Sequence, residues 1–94
     1  MDFGKAIEAL KDGKIVCRQH WDRKFIFVQV PAIIPKEVIP KMTSLPDSVK
    51  DEFAQRGGDI SYMNQIAVVN ADNLIQAWIP TIVELLAEDW IILE

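Results

Sequence analysis

The chain has one cysteine, Cys17, and one histidine, His20. A lone thiol cannot staple the chain to itself, and one histidine with one cysteine makes no soft-metal cluster, so disulfide-scaffold and zinc classes fall away. No metal and no cofactor are expected. Apolar runs are short: none approaches the ~20 residues needed to span a bilayer. The first residues read as an amphipathic helix, without the basic region and apolar core of a leader, so the cytoplasm is the expected compartment. Basic charge is also scarce. Ten Lys and Arg against fourteen Asp and Glu leave a formal net charge of -4, which disfavours sequence-independent binding to a phosphate backbone and argues against DNA as a partner.

The parts of a catalytic centre are missing as well. The only serines are Ser44, Ser48 and Ser61, and none lies in a nucleophile-elbow sequence. His20 would have to serve every general-base role, and it reads better as an exposed turn residue. The adjacent carboxylates Asp51-Glu52 and Glu88-Asp89 point in different directions on a helix, so solvated faces and helix-end charges explain them better than an acid/base dyad. Gly57-Gly58 has no phosphate-loop lysine and serine context and reads as a helix stop. The expectation is a protein that is not an enzyme.

What remains is an ordinary globular inventory in 94 residues, half hydrophobic and 26% charged. That is enough for one domain, residues 1–94, and too little for two. In DFGKAIEALKDG, Phe3, Ala6, Ile7 and Leu10 form one stripe of an amphipathic helix, with Asp2 as N-cap and Gly13 as C-terminal stop. KIVCR and KFIFVQV are rich in β-branched and aromatic residues and predict two strands joined by QHWDR. Alternation in the second puts Phe25, Phe27 and Gln29 on one face and Ile26, Val28 and Val30 on the other. Prolines 31, 35, 40 and 46 exclude a long helix and a central strand, leaving an irregular excursion with a short helical piece around Lys36 to Val38.

PDSVKDEFAQRGG predicts a middle helix, with Pro46 and Asp47 suited to its first turn and Gly57-Gly58 to its end. ISYMNQIAVVN and NLIQAWI are two further strand candidates, joined as a hairpin by the turn-forming Asn70 to Asn73. TIVELLAED then gives one or two helical turns after Pro80, and WIILE a last strand. The order predicts an α+β fold: a small antiparallel β-sheet with an N-terminal helix, a middle helix and a short C-terminal helix packed on it.

Three tryptophans stand at element edges among polar neighbours: Trp21 in HWDRK, Trp78 in QAWIPT and Trp90 in EDWII. They can plug a core or offer stacking surfaces, and for Trp90 both readings stay open. Trp21, beside Arg23 and Lys24, has the setting in which an aromatic face next to cations holds a base and its phosphates. Lys14, Arg18, Arg23 and Lys24 place four of the ten cations within eleven residues. Taken alone, that cluster reads better as a solvated hairpin end.

The order of these motifs resembles a known family. The FGKAIEALKDGK helix, the R-x-x-W element from Arg18 to Trp21, and the closing W-x-P-T followed by ELLAEDW, from Trp78 to Trp90, together look like the second type of Thoeris anti-defense protein. SLPDSVK and ISYMNQI resemble longer members of the same family. The resemblance implies a phage or prophage protein in the host bacterial cytoplasm, a sponge that binds a cyclic nucleotide immune signal of the glycocyclic ADP-ribose type without cleaving it. Some members also bind cyclic oligonucleotides. It further implies a homotetramer or homodimer with the ligand held between protomers.

By motif match, Phe3, Arg18, Trp21, Trp78, Thr81 and Glu84 belong to or border the ligand site, and Lys24 joins them as the cation beside Trp21. The family has Gly where this chain has His20, and Ser and Asp where it has Thr81 and Glu84. The hydroxyl and the carboxylate survive while their reach changes. A binder needs stacking surfaces, partners for ribose hydroxyls and donors for a pyrophosphate, and no nucleophile. A rival reading from another class is a structural or protein-interaction module whose tryptophans build an oligomer interface.

Overall fold

The computed structural model describes residues 1–93. Helix α1 spans Phe3–Lys11 and begins as its sequence dictates: the Asp2 carboxylate accepts a hydrogen bond from the Lys5 amide at 2.9 Å, satisfying one of the donors that a helix start leaves open. It stops at Gly13, whose φ of 83° is left-handed backbone that a side chain resists. Its buried stripe is Ala6, Ala9 and Leu10. Phe3 and Ile7 lie half-buried beside that stripe, because the small Ala6 and Ala9 occupy the line of closest approach and larger side chains must flank it.

Strands follow in the order β1 (Ile15–Arg18), β2 (Phe25–Gln29), β3 (Ala32–Ile34), β4 (Ile60–Tyr62), β5 (Gln65–Val69), β6 (Ile75–Ala77) and β7 (Trp90–Leu93). Helix α2 (Asp47–Arg56) separates β3 from β4, and helix α3 (Ile82–Leu86) separates β6 from β7. The architecture is α+β, and the chain divides into two compact units, 1–29 with 64–94 and 30–63.

The first unit holds a five-stranded sheet of order β6-β5-β2-β1-β7, antiparallel throughout. Val16 faces Ile26 and Ile26 faces Val68 across neighbouring strands, and with Trp90 they form the face that packs on α1. Val16, Ile26, Leu10 and Trp90 are its largest fully buried side chains. Alternation sends Phe25, Phe27, Val69, Ile75, Ile91 and Leu93 to the opposite face. There Ile75, Ile91 and Leu93 are exposed. The hairpin of β5 and β6 turns as expected at Asn70, whose side-chain oxygen accepts from the amides of Asp72 and Leu74 at 2.9 and 3.0 Å.

The second unit pairs β3 with β4 as a two-stranded sheet and adds α2 and a 3₁₀ turn at Ile39–Lys41, around the buried Ile39. Three expectations change here. The stretch between Pro31 and Pro35 is a short strand, which the prolines permit because each brackets it instead of interrupting it. The helical piece lies at Ile39–Lys41, with Pro40 in its first turn where no amide is needed, while Lys36 to Val38 form a plain turn. ISYMNQIAVVN is not one strand. It breaks at Met63-Asn64, because its first half pairs with β3 and its second with β2.

Candidate functional site

Four aromatic rings from four separate segments meet at one end of the first unit. Phe3 opens α1, Trp21 sits in the β1–β2 turn, Trp78 follows β6 and Trp90 opens β7. Trp90 is fully buried at the centre, with ring centroids of Phe3 and Trp21 both 5.3 Å away and that of Trp78 at 6.0 Å. The tryptophans meet one another near the perpendicular, at interplanar angles of 80° to 83°. Edge-to-face contact is the favoured geometry for rings with negative faces and positive edges.

Burial of Trp90 is made possible by its indole N–H, which donates to the Glu84 carbonyl at 3.1 Å. Met1 pairs with the same residue, its nitrogen donating to the Trp90 carbonyl at 2.8 Å and its carbonyl accepting from the Trp90 amide at 3.1 Å. Trp90 is thereby core. Trp21, Trp78 and Phe3 are half-buried around it and keep part of their surface accessible. Lys24 extends over the Trp21 ring, its Nζ 4.4 Å from the centroid, a cation–π contact that also fixes the ring.

Arg18 is turned to a different partner. Its Nε and a terminal nitrogen donate to the two carboxylate oxygens of Asp89 at 2.9 and 3.2 Å, a bidentate pair on side chains 16% and 32% exposed. His20 Nδ1 lies 3.5 Å from the same carboxylate. The Arg18 hydrogen bond holds the Asp89 carboxyl below its ordinary range, opposed by partial burial. Since Asp89 precedes Trp90 and the Gln19 amide donates to the Asp89 carbonyl at 3.0 Å, the pair fastens the Trp21 turn to the start of β7. Sequence reasoning read Asp89 only as a helix-end charge. Its partner was detectable in principle from R-x-x-W and E-D-W occurring in one chain, but their pairing across β1 and β7 was not.

Thr81 and Glu84 satisfy each other. Thr81 Oγ1 accepts from the Glu84 amide at 3.2 Å and Glu84 Oε1 accepts from the Thr81 amide at 2.8 Å, a capping box at the start of α3. The sequence signal T-x-x-E was present. Glu84 reaches the aromatic group through its backbone carbonyl, which anchors Trp90, while the side chains of both residues are engaged in the cap of α3. Next to Trp21, on the far side of the sheet from α1, a hollow of about 270 Å³ opens between the β1–β2 and β5–β6 turns.

A family model described as the Thoeris anti-defense 2-like domain matches residues 1–93. A curated relative named Thoeris anti-defense 2, from Bacillus phage SP01, is 32% identical over 90 residues, which are 96% of this chain and 91% of that protein. The aromatic positions Phe3, Trp21, Trp78 and Trp90 all fall within the matched span, and the chain belongs to the Thoeris anti-defense 2-like family.

Proposed function

We propose that the protein suppresses a bacterial anti-phage defence by binding and sequestering a cyclic nucleotide immune signal of the glycocyclic ADP-ribose type, releasing it unchanged. The observation that supports this most is the aromatic group: Trp21 and Trp78 keep accessible surface while Trp90 and the Arg18–Asp89 pair hold them in place. A preorganised stacking surface of this kind suits an adenine ring, worth ~1 to 3 kcal/mol per stacked base. Family membership supplies the anti-defence setting. Binding by a homo-oligomer belongs to the same proposal. Ile79, Ile82, Val83 and Leu86 around α3 are each more than two-thirds exposed, and burying such apolar surface against another copy is a strong drive to associate.

The decisive experiment incubates purified protein with extract containing the immune signal, washes it, denatures it by heat and analyses the supernatant by mass spectrometry. An intact cyclic nucleotide released in stoichiometric amount is expected. A hydrolysed product whose yield depends on active protein and vanishes in Glu84→Gln overturns the sponge reading, and no released small molecule at all returns the tryptophans to an interface role.

A further inference from the structure

The chain contains three arginines, Arg18, Arg23 and Arg56. Arg18 is paired with Asp89 and Arg56 with Glu52, whereas among the described residues Arg23 has no ion pair. Arg23 lies instead on the rim of the hollow beside Trp21, with Lys24 next to it and with Asn70 and Asn73 across from it. Its backbone is unusual. Arg23 and Asn73, at φ of 54° and 63°, are the non-glycine residues of the described chain in left-handed conformation, and both border this one hollow. Asn tolerates that region and Asn73 sits in a turn that calls for it; a long side chain at Arg23 has no such excuse, and glycine there would be less strained. Strain kept at one rim residue points to a side chain retained for what it binds.

We propose that this hollow is an anion subsite that takes the phosphate groups of a nucleotide, with Arg23 as its principal donor. The proposal rests on the nucleotide-binding reading above and deepens it. At about 270 Å³ the hollow is small for a whole cofactor-sized ligand, which fits a phosphate or pyrophosphate group and not the base and sugars as well. A guanidinium presents its donors in a planar fork that matches phosphate oxygens. The Asn70 side-chain oxygen is committed to the Asp72 and Leu74 amides, so its NH₂ is the end left to donate to an anion. Among the described residues the lining of the hollow carries no carboxylate: Phe25 and Val69 are apolar, and burial pushes the Cys17 thiol up, keeping it protonated. Trp21 lines the hollow and also belongs to the aromatic group, so one nucleotide can stack on the group and place its phosphates against Arg23.

The test titrates ¹⁵N-labelled protein with inorganic pyrophosphate and follows the amide spectrum. Saturable shifts at residues 21–25 and 70–74 are expected. Arg23→Gly should melt close to the parent, because relief of the positive-φ strain offsets a looser unfolded chain, yet bind pyrophosphate about tenfold or more weakly, and Arg23→Asn, which also accepts positive φ, should repeat the loss. Shifts elsewhere only, or parent-like affinity in both variants, overturn the subsite. A parallel titration with a glycocyclic ADP-ribose separates the two proposals. Pyrophosphate binding here without cyclic nucleotide binding supports the subsite and overturns the sponge; cyclic nucleotide binding unaffected by Arg23→Gly does the reverse.

Discussion

The four aromatic residues of the site carry unequal shares of stability and binding, and their burial separates the shares. Trp90 is at zero exposure with its N–H bonded to the Glu84 carbonyl, so Trp90→Ala should destabilise the protein by ~3 to 5 kcal/mol in urea unfolding. Trp21 is half-buried and edge-on to Trp90; Trp21→Ala should weaken nucleotide binding by ~1 to 3 kcal/mol in calorimetry while leaving a cooperative fold. A Trp21→Ala protein that no longer unfolds cooperatively would reassign Trp21 to the core. Asp89 carries the pH dependence. Its folded carboxyl sits below the ordinary value because Arg18 donates to its charged form, so its stabilisation is fully present above about pH 4 and is lost as pH falls through the lower folded value. Melting curves from pH 6 to pH 2 should show a steeper acid limb for the parent than for Asp89→Asn.

At the scale of elements, α3 is the most dependent on local chemistry. It is five residues long, buries none of them completely, and is far shorter than a helix that holds itself in water. The Thr81–Glu84 capping box is therefore much of what defines it. Thr81→Ala should cost ~0.5 to 2 kcal/mol and, by loosening the Glu84 carbonyl that holds the Trp90 indole, should raise the Trp90 contribution to near-ultraviolet dichroism loss on mild heating. Thr81→Ser, which keeps the hydroxyl, should restore both readings. The elements themselves were largely legible. The 3.6-residue stripe and Asp2 marked α1, the Asn70 turn marked the β5–β6 hairpin, and Gly57, at φ of 74°, marked the end of α2. The break at Met63-Asn64 was not, because alternation of side chains records which face a strand buries and says nothing of which strand it pairs with.

For the whole molecule, the open face of the five-stranded sheet and the apolar surface of α3 predict self-association. Light scattering at micromolar concentration should give an even multiple of 10.7 kDa, and a mass near 10.7 kDa itself refutes the assembly. The two compact units suggest a second measurement. Gln29 and Gln65 face each other at the last rung of the β2–β5 ladder, their side chains joined at 2.9 Å. Replacing residues 30–64 by Asn-Gly closes that rung with a two-residue turn. The shortened chain should keep the dichroism of the aromatic group and a cooperative melt; loss of both would show that 1–94 folds only as one body.

The sequence by itself determined most of the elements, the alternation of faces along the strands and the aromatic residue types of the candidate site, because period, capping and turn chemistry act within a few residues. It also carried, in the spacing of Arg18, Trp21, Trp78 and Trp90, a likeness to the family the chain belongs to. What only the tertiary structure decided is which of those residues touch. Trp90 became the buried centre because four segments converge on it and Glu84 supplies an acceptor for its N–H. Arg18 was drawn to Asp89, 71 residues away, and left Arg23 as the arginine without an ion pair among the described residues. Pairing between distant segments is set by strand order and register, which cost chain entropy to bring together and have no local signature.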